Sequence, residues 1–175
     1  MRQAISYAVG LSVLSFAMTQ AKAPSSEGYR VWVEMERVDS LHWEATVGLE
    51  NAGPIVAMTL PFKWGSGRSP YNLDSANYAG LRTEYFALKT FRVDSTKQSV
   101  LIGLIADLGG NSPPLEPGSG TITRLYFTSR RASSPVPILD TTFVLPHNTL
   151  QLVTPDVRAI KPKFERGDQP ATAPR

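Results

Sequence analysis

The 175-residue sequence contains no cysteine and only two histidines, His42 and His147. Without thiols there are no disulfides to staple the chain and no N-terminal lipid anchor on cysteine, and any zinc site has to be assembled mainly from carboxylates. Nucleophilic catalysis needs a base beside the nucleophile, and neither histidine sits in a recognisable motif. Basic residues cluster nowhere except Arg158 to Arg166, so the charge pattern argues against nucleic acid as a partner. Also missing are an apolar run near the roughly 20 residues of a membrane-spanning helix and a 3.6-residue apolar period long enough to predict a helix.

What is present begins with an export signal. Arg2 supplies a basic start, Ala4 to Met18 is a nearly uncharged apolar run, and Ala21-Lys22-Ala23 offers small residues at the spacing a signal peptidase reads. Residues 1–23 are expected to be removed, by cleavage after Ala23, or after Ala21 because Pro24 fits a protease poorly at the new terminus. The 152 residues that follow Ala23 suit one domain with one core. Loss of Arg2 and Lys22 leaves 16 basic against 15 acidic side chains, so the net charge falls from +3 to +1. The domain is expected over 24–164, followed by a flexible polar tail, 165–175, with no apolar attachment stretch. These features fit a bacterial protein that is secreted, extracellular or periplasmic, with no membrane insertion once the signal is gone.

The mature region reads as short β-runs punctuated by Gly, Pro, Asn and Asp. Arg30 to Val38 alternates, with Val31, Val33 and Met35 on one face and Trp32, Glu34 and Glu36 on the other. Leu41 to Glu50 alternates likewise, with Leu41, Trp43, Ala45, Val47 and Leu49 together. The two predict a hairpin, and coincident apolar faces require an odd loop such as Asp39-Ser40-Leu41. Ile55 to Trp64 is the next strand, with Pro61 marking a bulge or an edge. Tyr71 to Tyr78, Tyr85 to Val93 and Gln98 to Ala106 follow, the last two joined by a turn at Asp94 to Lys97. Asp107 to Ser119, rich in Pro and Gly, reads as a long surface loop. Gly120 to Arg130, Val136 to Leu145 and an extended piece from Leu150 through Phe164 complete about nine strands. Without crossover helices, they predict an all-β fold of two antiparallel sheets packed face to face.

The order of these pieces resembles the cohesin family and its carbohydrate-binding-module relatives, which share a nine-stranded jelly-roll sandwich. The residues that carry the resemblance are Val47-Gly48-Leu49-Glu50-Asn51, Ala57-Met58-Thr59-Leu60-Pro61-Phe62, Val100 to Ala106, and the Gly-rich lead Pro117-Gly118-Ser119-Gly120 into Thr121 to Phe127. The resemblance implies a non-catalytic binding or assembly module, and cohesins proper dock dockerins. The chain departs from such systems in carrying one copy and no duplicated Asp/Asn-rich calcium loops.

One strand is apolar on both faces: Val100-Leu101-Ile102-Gly103-Leu104-Ile105-Ala106. A two-layer sandwich buries one face of each strand, so either Leu101 and Ile105, or Val100, Ile102 and Leu104, must point outward. That surface predicts a docking face for another secreted or cell-surface protein, framed by Thr59, Lys63, Lys89 and Arg92; alternatively the Asp107 to Ser119 loop folds back over it. The resemblance favours docking, because it implies a partner-facing sheet of third, fifth, sixth and eighth strands. The competing expectation is polysaccharide binding, with Trp32, Tyr71, Tyr78 and Tyr126 as stacking aromatics. Glu34, Glu36 and Glu44 are the only carboxylates placed to suggest glycoside hydrolysis, and they read as ordinary solvated positions, so no enzymatic activity is expected. No cofactor is expected either. Asp107, Asn111 and Glu116 offer oxygen ligands for calcium on one loop, but their spacing fits no known calcium-loop pattern and ordinary turn chemistry is the stronger reading.

Overall fold

The expected hairpin opens the domain in a computed structural model that describes residues 27–65, 69–110, 112–132, 134–141 and 148–167. Strand β1 (Tyr29–Arg37) pairs antiparallel with β2 (His42–Asn51), setting Val31 opposite Leu49, Val33 opposite Val47 and Met35 opposite Ala45. Its loop is Asp39-Ser40-Leu41, closed by the Val38 N–H donating to the His42 carbonyl at 2.9 Å. The odd count keeps both apolar faces on the same side of the sheet.

The remaining strands are β3 (Ala57–Lys63), β4 (Tyr71–Asn77), β5 (Leu88–Asp94), β6 (Ser99–Ile105), β7 (Gly118–Ser129), β8 (Gln151–Val153), β9 (Ala159–Ile160) and β10 (Lys163–Arg166). They form two five-stranded sheets, ordered β10-β1-β2-β7-β4 and β5-β6-β3-β8-β9. Alternating side chains from the two inner faces make one core. Val31, Val47, Leu49, Leu125 and Phe127 come from the first sheet, and Leu60, Phe62, Ile102, Leu104 and Leu152 from the second. Trp64, just past β3, bridges the layers: its ring meets Phe127 edge-on at 5.8 Å, and its indole N–H donates to the Tyr71 carbonyl at 3.1 Å.

Several local expectations change. The described residues hold ten strands, because the extended piece from Leu150 splits into β8, β9 and β10, the last crossing to the first sheet. There β10 runs parallel to β1, the one departure from antiparallel pairing among the described strands, and continues to Arg166, beyond the expected end at Phe164. The strand expected from Tyr85 starts at Leu88, since Glu84 and Phe86 donate their N–H groups back to Leu81 and Thr83 in successive tight turns. Val136 to Leu145 does not form a strand over its described part, which ends at Thr141; a single bridge joins Asp140 to Lys63. Pro135 and Pro137 lack the N–H that a ladder needs. Pro61 marks neither a bulge nor an edge strand: β3 is the central strand of its sheet and its register with β6 runs unbroken through Pro61. The Lys63 N–H turns away from β6 toward Asp140, so by the two-residue period the missing N–H of Pro61 faces the gap between that bridge and the end of the β8 pairing at Thr59. The proposed export signal, Asn111, His147 and most of the polar tail lie outside the described residues.

Candidate functional site

The cross-strand register settles which side chains of the apolar strand face out. In β6, Val100, Ile102 and Leu104 are buried, while Leu101, Gly103 and Ile105 lie on the outer face. Paired residues in antiparallel strands share a face, so the register extends each position sideways. Ile105 lies opposite Leu88 of β5 and Ala57 of β3; Ala57 lies opposite Val153 of β8; Val153 lies opposite Ala159 of β9. The result is an entirely apolar row across all five strands of the second sheet. Thr90, Gly103, Thr59 and Gln151 form the next row, and Arg92, Leu101 and Pro61 the one after. Gly103 leaves room for its neighbour: the Thr90 hydroxyl accepts its N–H at 3.1 Å, and a Cβ there would stand 2.6 Å from that oxygen.

Of the four residues expected to frame a docking face, Thr59, Lys63 and Arg92 lie on this surface, around the outward pair Leu101 and Ile105. Lys89 does not. It is paired with the inward Leu104, and its ammonium donates to the Phe86 carbonyl at 2.6 Å beside the Tyr78 ring. Residues 89 and 92 are an odd number of positions apart, so one strand cannot present both on one face. The Asp107 to Ser119 loop does not cover the surface through its described residues. Leu115 bridges to Ile55, the Pro114 carbonyl accepts from the Tyr85 hydroxyl, and the Glu116 carbonyl accepts from Arg82 and Asn51, all at one end of the sandwich. At the other end a groove of about 220 Å³ is lined by Arg92, Val93, Asp94, Ser99, Val100, Leu101 and Asn148.

Sequence reasoning missed the lateral partners Leu88, Ala57 and Val153, which only the register reveals. It also missed Val157, at the tip of the β8–β9 turn. Val157 is 83% exposed with φ of 61°, a left-handed conformation that is strained for a β-branched side chain. The turn holds it there: the Thr154 hydroxyl donates to Asp156 at 2.5 Å, Arg158 pairs with Asp156, and the Val157 N–H donates to the Thr154 carbonyl.

The expected stacking aromatics separate into two environments. Tyr71 is only 3% exposed and Tyr78 is half-buried against the core, and burial raises both phenol pKa values. Tyr71 alternates in β4 with the buried Leu73, so it belongs to the inner face and cannot stack on a surface ligand. Trp32 and Tyr126 are half-exposed on the outer face of the first sheet, opposite Gly48 and Glu44 respectively. Glu34, Glu36 and Glu44 share that face; Glu44 pairs with Arg124 at 3.2 Å and lies directly opposite Glu36. Among the described residues, no three His, Asp or Glu side chains converge as metal ligands. Asp107 accepts the Gly109 N–H of its own turn at 2.9 Å.

No protein-family model matches the sequence, and no curated protein matches it either. Solved structures do match. A non-cellulosomal cohesin from the archaeon Archaeoglobus fulgidus superposes with a TM-score of 0.52 at 11% identity, covering 78% of this chain and 86% of its own. The sixth cohesin of scaffoldin B from Acetivibrio cellulolyticus, solved in complex with a dockerin, gives 0.59 at 11% identity over 78% and 94%. The second type II cohesin module of the adaptor scaffoldin ScaA from the same organism gives 0.54 at 11% identity over 85% and 99%. The ten strands described above therefore build a cohesin-like jelly-roll sandwich.

Proposed function

We propose that the chain is an exported, non-catalytic docking module that binds another secreted or cell-surface protein through the outer face of the β5-β6-β3-β8-β9 sheet. One observation carries this reading: the apolar row Leu88, Ile105, Ala57, Val153 and Ala159, reinforced by Leu101. Contiguous outward aliphatic groups on a sandwich are costly in water unless something covers them. The fold likeness supports the reading, since several matching cohesins were solved with dockerins. So does the sheet itself, which contains the third, fifth, sixth and eighth strands, the set that the sequence resemblance implies for docking.

The face also suggests what the partner offers. Its central rows carry no carboxylate, and Arg92 stands exposed beside Leu101 at the groove. A complementary polypeptide would present aliphatic side chains to the row and a carboxylate to Arg92. Capture from the producing cell's exported proteins, followed by affinity measurement with the purified partner, tests this. Leu101→Glu combined with Ile105→Glu is expected to weaken binding by roughly a hundredfold or more, as hot-spot losses do, with the melting temperature nearly unchanged. Equal affinity in the folded variant would contradict the proposal.

A further inference from the structure

The opposite side of the sandwich carries a second feature that the docking reading does not use. Trp32 projects from β1 onto the outer face of the first sheet, and its indole lies directly over Gly48 of β2. A Cβ at Gly48 would stand 2.0, 2.1 and 2.7 Å from ring atoms Cε2, Cζ2 and Cδ2. Only a glycine lets the bicycle settle there. The register also shifts at this point, between Val47 and Gly48 opposite β7, a bulge of the kind that often re-aims side chains beside a binding site. Of the three tryptophans, Trp43 and Trp64 are 7% and 4% exposed, and Trp32 is the half-exposed one.

A cleft of about 550 Å³, the size of a small-ligand site, opens beside this ring. It is lined by Glu27, Gly28, Tyr29, Arg30, Glu50, Lys163 and Glu165. Arg30 is its centre: the guanidinium pairs with Glu50 at 2.9 Å and with Glu165 at 2.8 Å, and stands 5.3 Å from the Trp32 ring centroid. Lys163 pairs with the other oxygen of Glu165 at 2.7 Å. Lys163 and Arg30 hold Glu165 below the usual carboxylate range, in that order, so the network stays ionised.

The charges select the ligand class. Three carboxylates would repel an anion, and two cations already engaged by them would oppose another cation. What the cleft offers is a set of fixed donors and acceptors: guanidinium N–H groups and carboxylate lone pairs beyond those used in the pairs. They stand next to a flat π-surface whose negative face attracts polarised C–H groups. A molecule with hydroxyls along its rim and C–H bonds on its face matches both. We propose that the Trp32 indole and the Arg30–Glu50–Glu165 cleft form a binding site for a neutral, pyranose-based glycan, on the sheet opposite the docking face. The two sites share no residue, so one module could hold a protein and a polysaccharide together.

Tryptophan fluorescence provides the readout, because only Trp32 reports from the surface. The full mature chain would be titrated with soluble neutral hexasaccharides built from glucose, mannose, xylose or galactose, and with polygalacturonate as the charged comparison. The expected result is saturable quenching by at least one neutral sugar. For the variants, since those at Trp32 lose the reporter, isothermal titration calorimetry supplies the affinity: Trp32→Ala should weaken binding roughly tenfold or more, Trp32→Tyr should restore part of it, and Glu50→Gln should weaken it with the fold intact by circular dichroism. Leu101→Glu with Ile105→Glu should leave it unchanged, so failure here is distinguishable from failure of the docking reading. No binding by any neutral sugar, binding only to polygalacturonate, or equal binding by Trp32→Ala would overturn the proposal.

Discussion

The aliphatic stem of Arg82 lies across Gly120, where a Cβ would meet the Arg82 Cδ at 3.0 Å on a backbone of φ 154°. Beyond that glycine the guanidinium donates to the carbonyls of Leu49 at 3.0 Å, Gly118 at 3.3 Å and Glu116 at 2.7 Å, and to the Asn51 side-chain oxygen at 3.0 Å. One side chain from the segment before β5 thus fastens the end of β2 to the start of β7. The partial burial that this demands lowers the Arg82 pKa. Arg82→Ala would leave several half-buried acceptors without their donor, at a cost of about 2–3 kcal/mol. Gly120→Ala would impose an unfavourable φ and displace the stem, costing about 1–3 kcal/mol. Urea unfolding checks both, and values within error of wild type would refute the clamp.

The β8–β9 turn makes a prediction of the opposite sign. Val157 at φ 61° stores strain that glycine would not, because a residue without Cβ enters the left-handed region freely. Val157→Gly is therefore expected to raise stability by roughly 1 kcal/mol, although it removes a side chain. A fall in urea midpoint would show that the Val157 side chain is held by contacts instead of merely tolerated.

Asp39 gives the account a pH dependence. Its carboxylate accepts the Leu41 N–H at 2.8 Å, and the His42 ring and N–H at 2.7 and 2.9 Å. Chiefly through the Leu41 bond, these lower its pKa from the usual 3.8 to about 2. A folded-state pKa below the unfolded one means that the ionised form favours the fold. The contribution is fully present above the unfolded value near 3.8 and disappears as pH falls through about 2. The stability difference between wild type and Asp39→Ala should accordingly shrink as pH falls from ~4.5 to ~2. A difference that grows on acidification would contradict it.

The loop oxygens weighed as calcium ligands have a direct test. Asp107 is engaged with the Gly109 N–H, and Glu116 uses its backbone carbonyl for Arg82 and Asn51. Turn bonding thus accounts for the Asp107 carboxylate, while Glu116 is fixed through its backbone, and we expect the melting temperature to be the same in millimolar calcium and in chelator. A calcium-dependent rise would assign a metal to this loop.

Much of this architecture was legible because burial in a sandwich writes a two-residue period into the sequence. Val31, Val33, Met35 and their counterparts Ala45, Val47 and Leu49 gave the first hairpin and its three-residue loop. The doubly apolar β6 announces an outward aliphatic set, and burial selects Leu101 and Ile105 over Val100, Ile102 and Leu104. The same period separates Lys89 from Arg92, which lie an odd number of residues apart and face opposite ways. Likewise Pro135 and Pro137, without N–H groups, interrupt any ladder at the start of the expected Val136 to Leu145 strand. Other features leave no local trace. The splitting of residues 151–166 into three short strands in two sheets depends on partners far along the chain. The row from Leu88 to Ala159 is set by register across five strands, and the seat of Trp32 on Gly48 is set by a contact between two of them.

The central claim is that the second sheet docks a protein through its outer face, and amide hydrogen exchange on the complex with the captured partner tests it most directly. Added protection is expected in β3, β6 and β8 and in the β8–β9 turn, with β1, β2 and β7 unchanged. Protection confined to β1, β2 and β7 would contradict it.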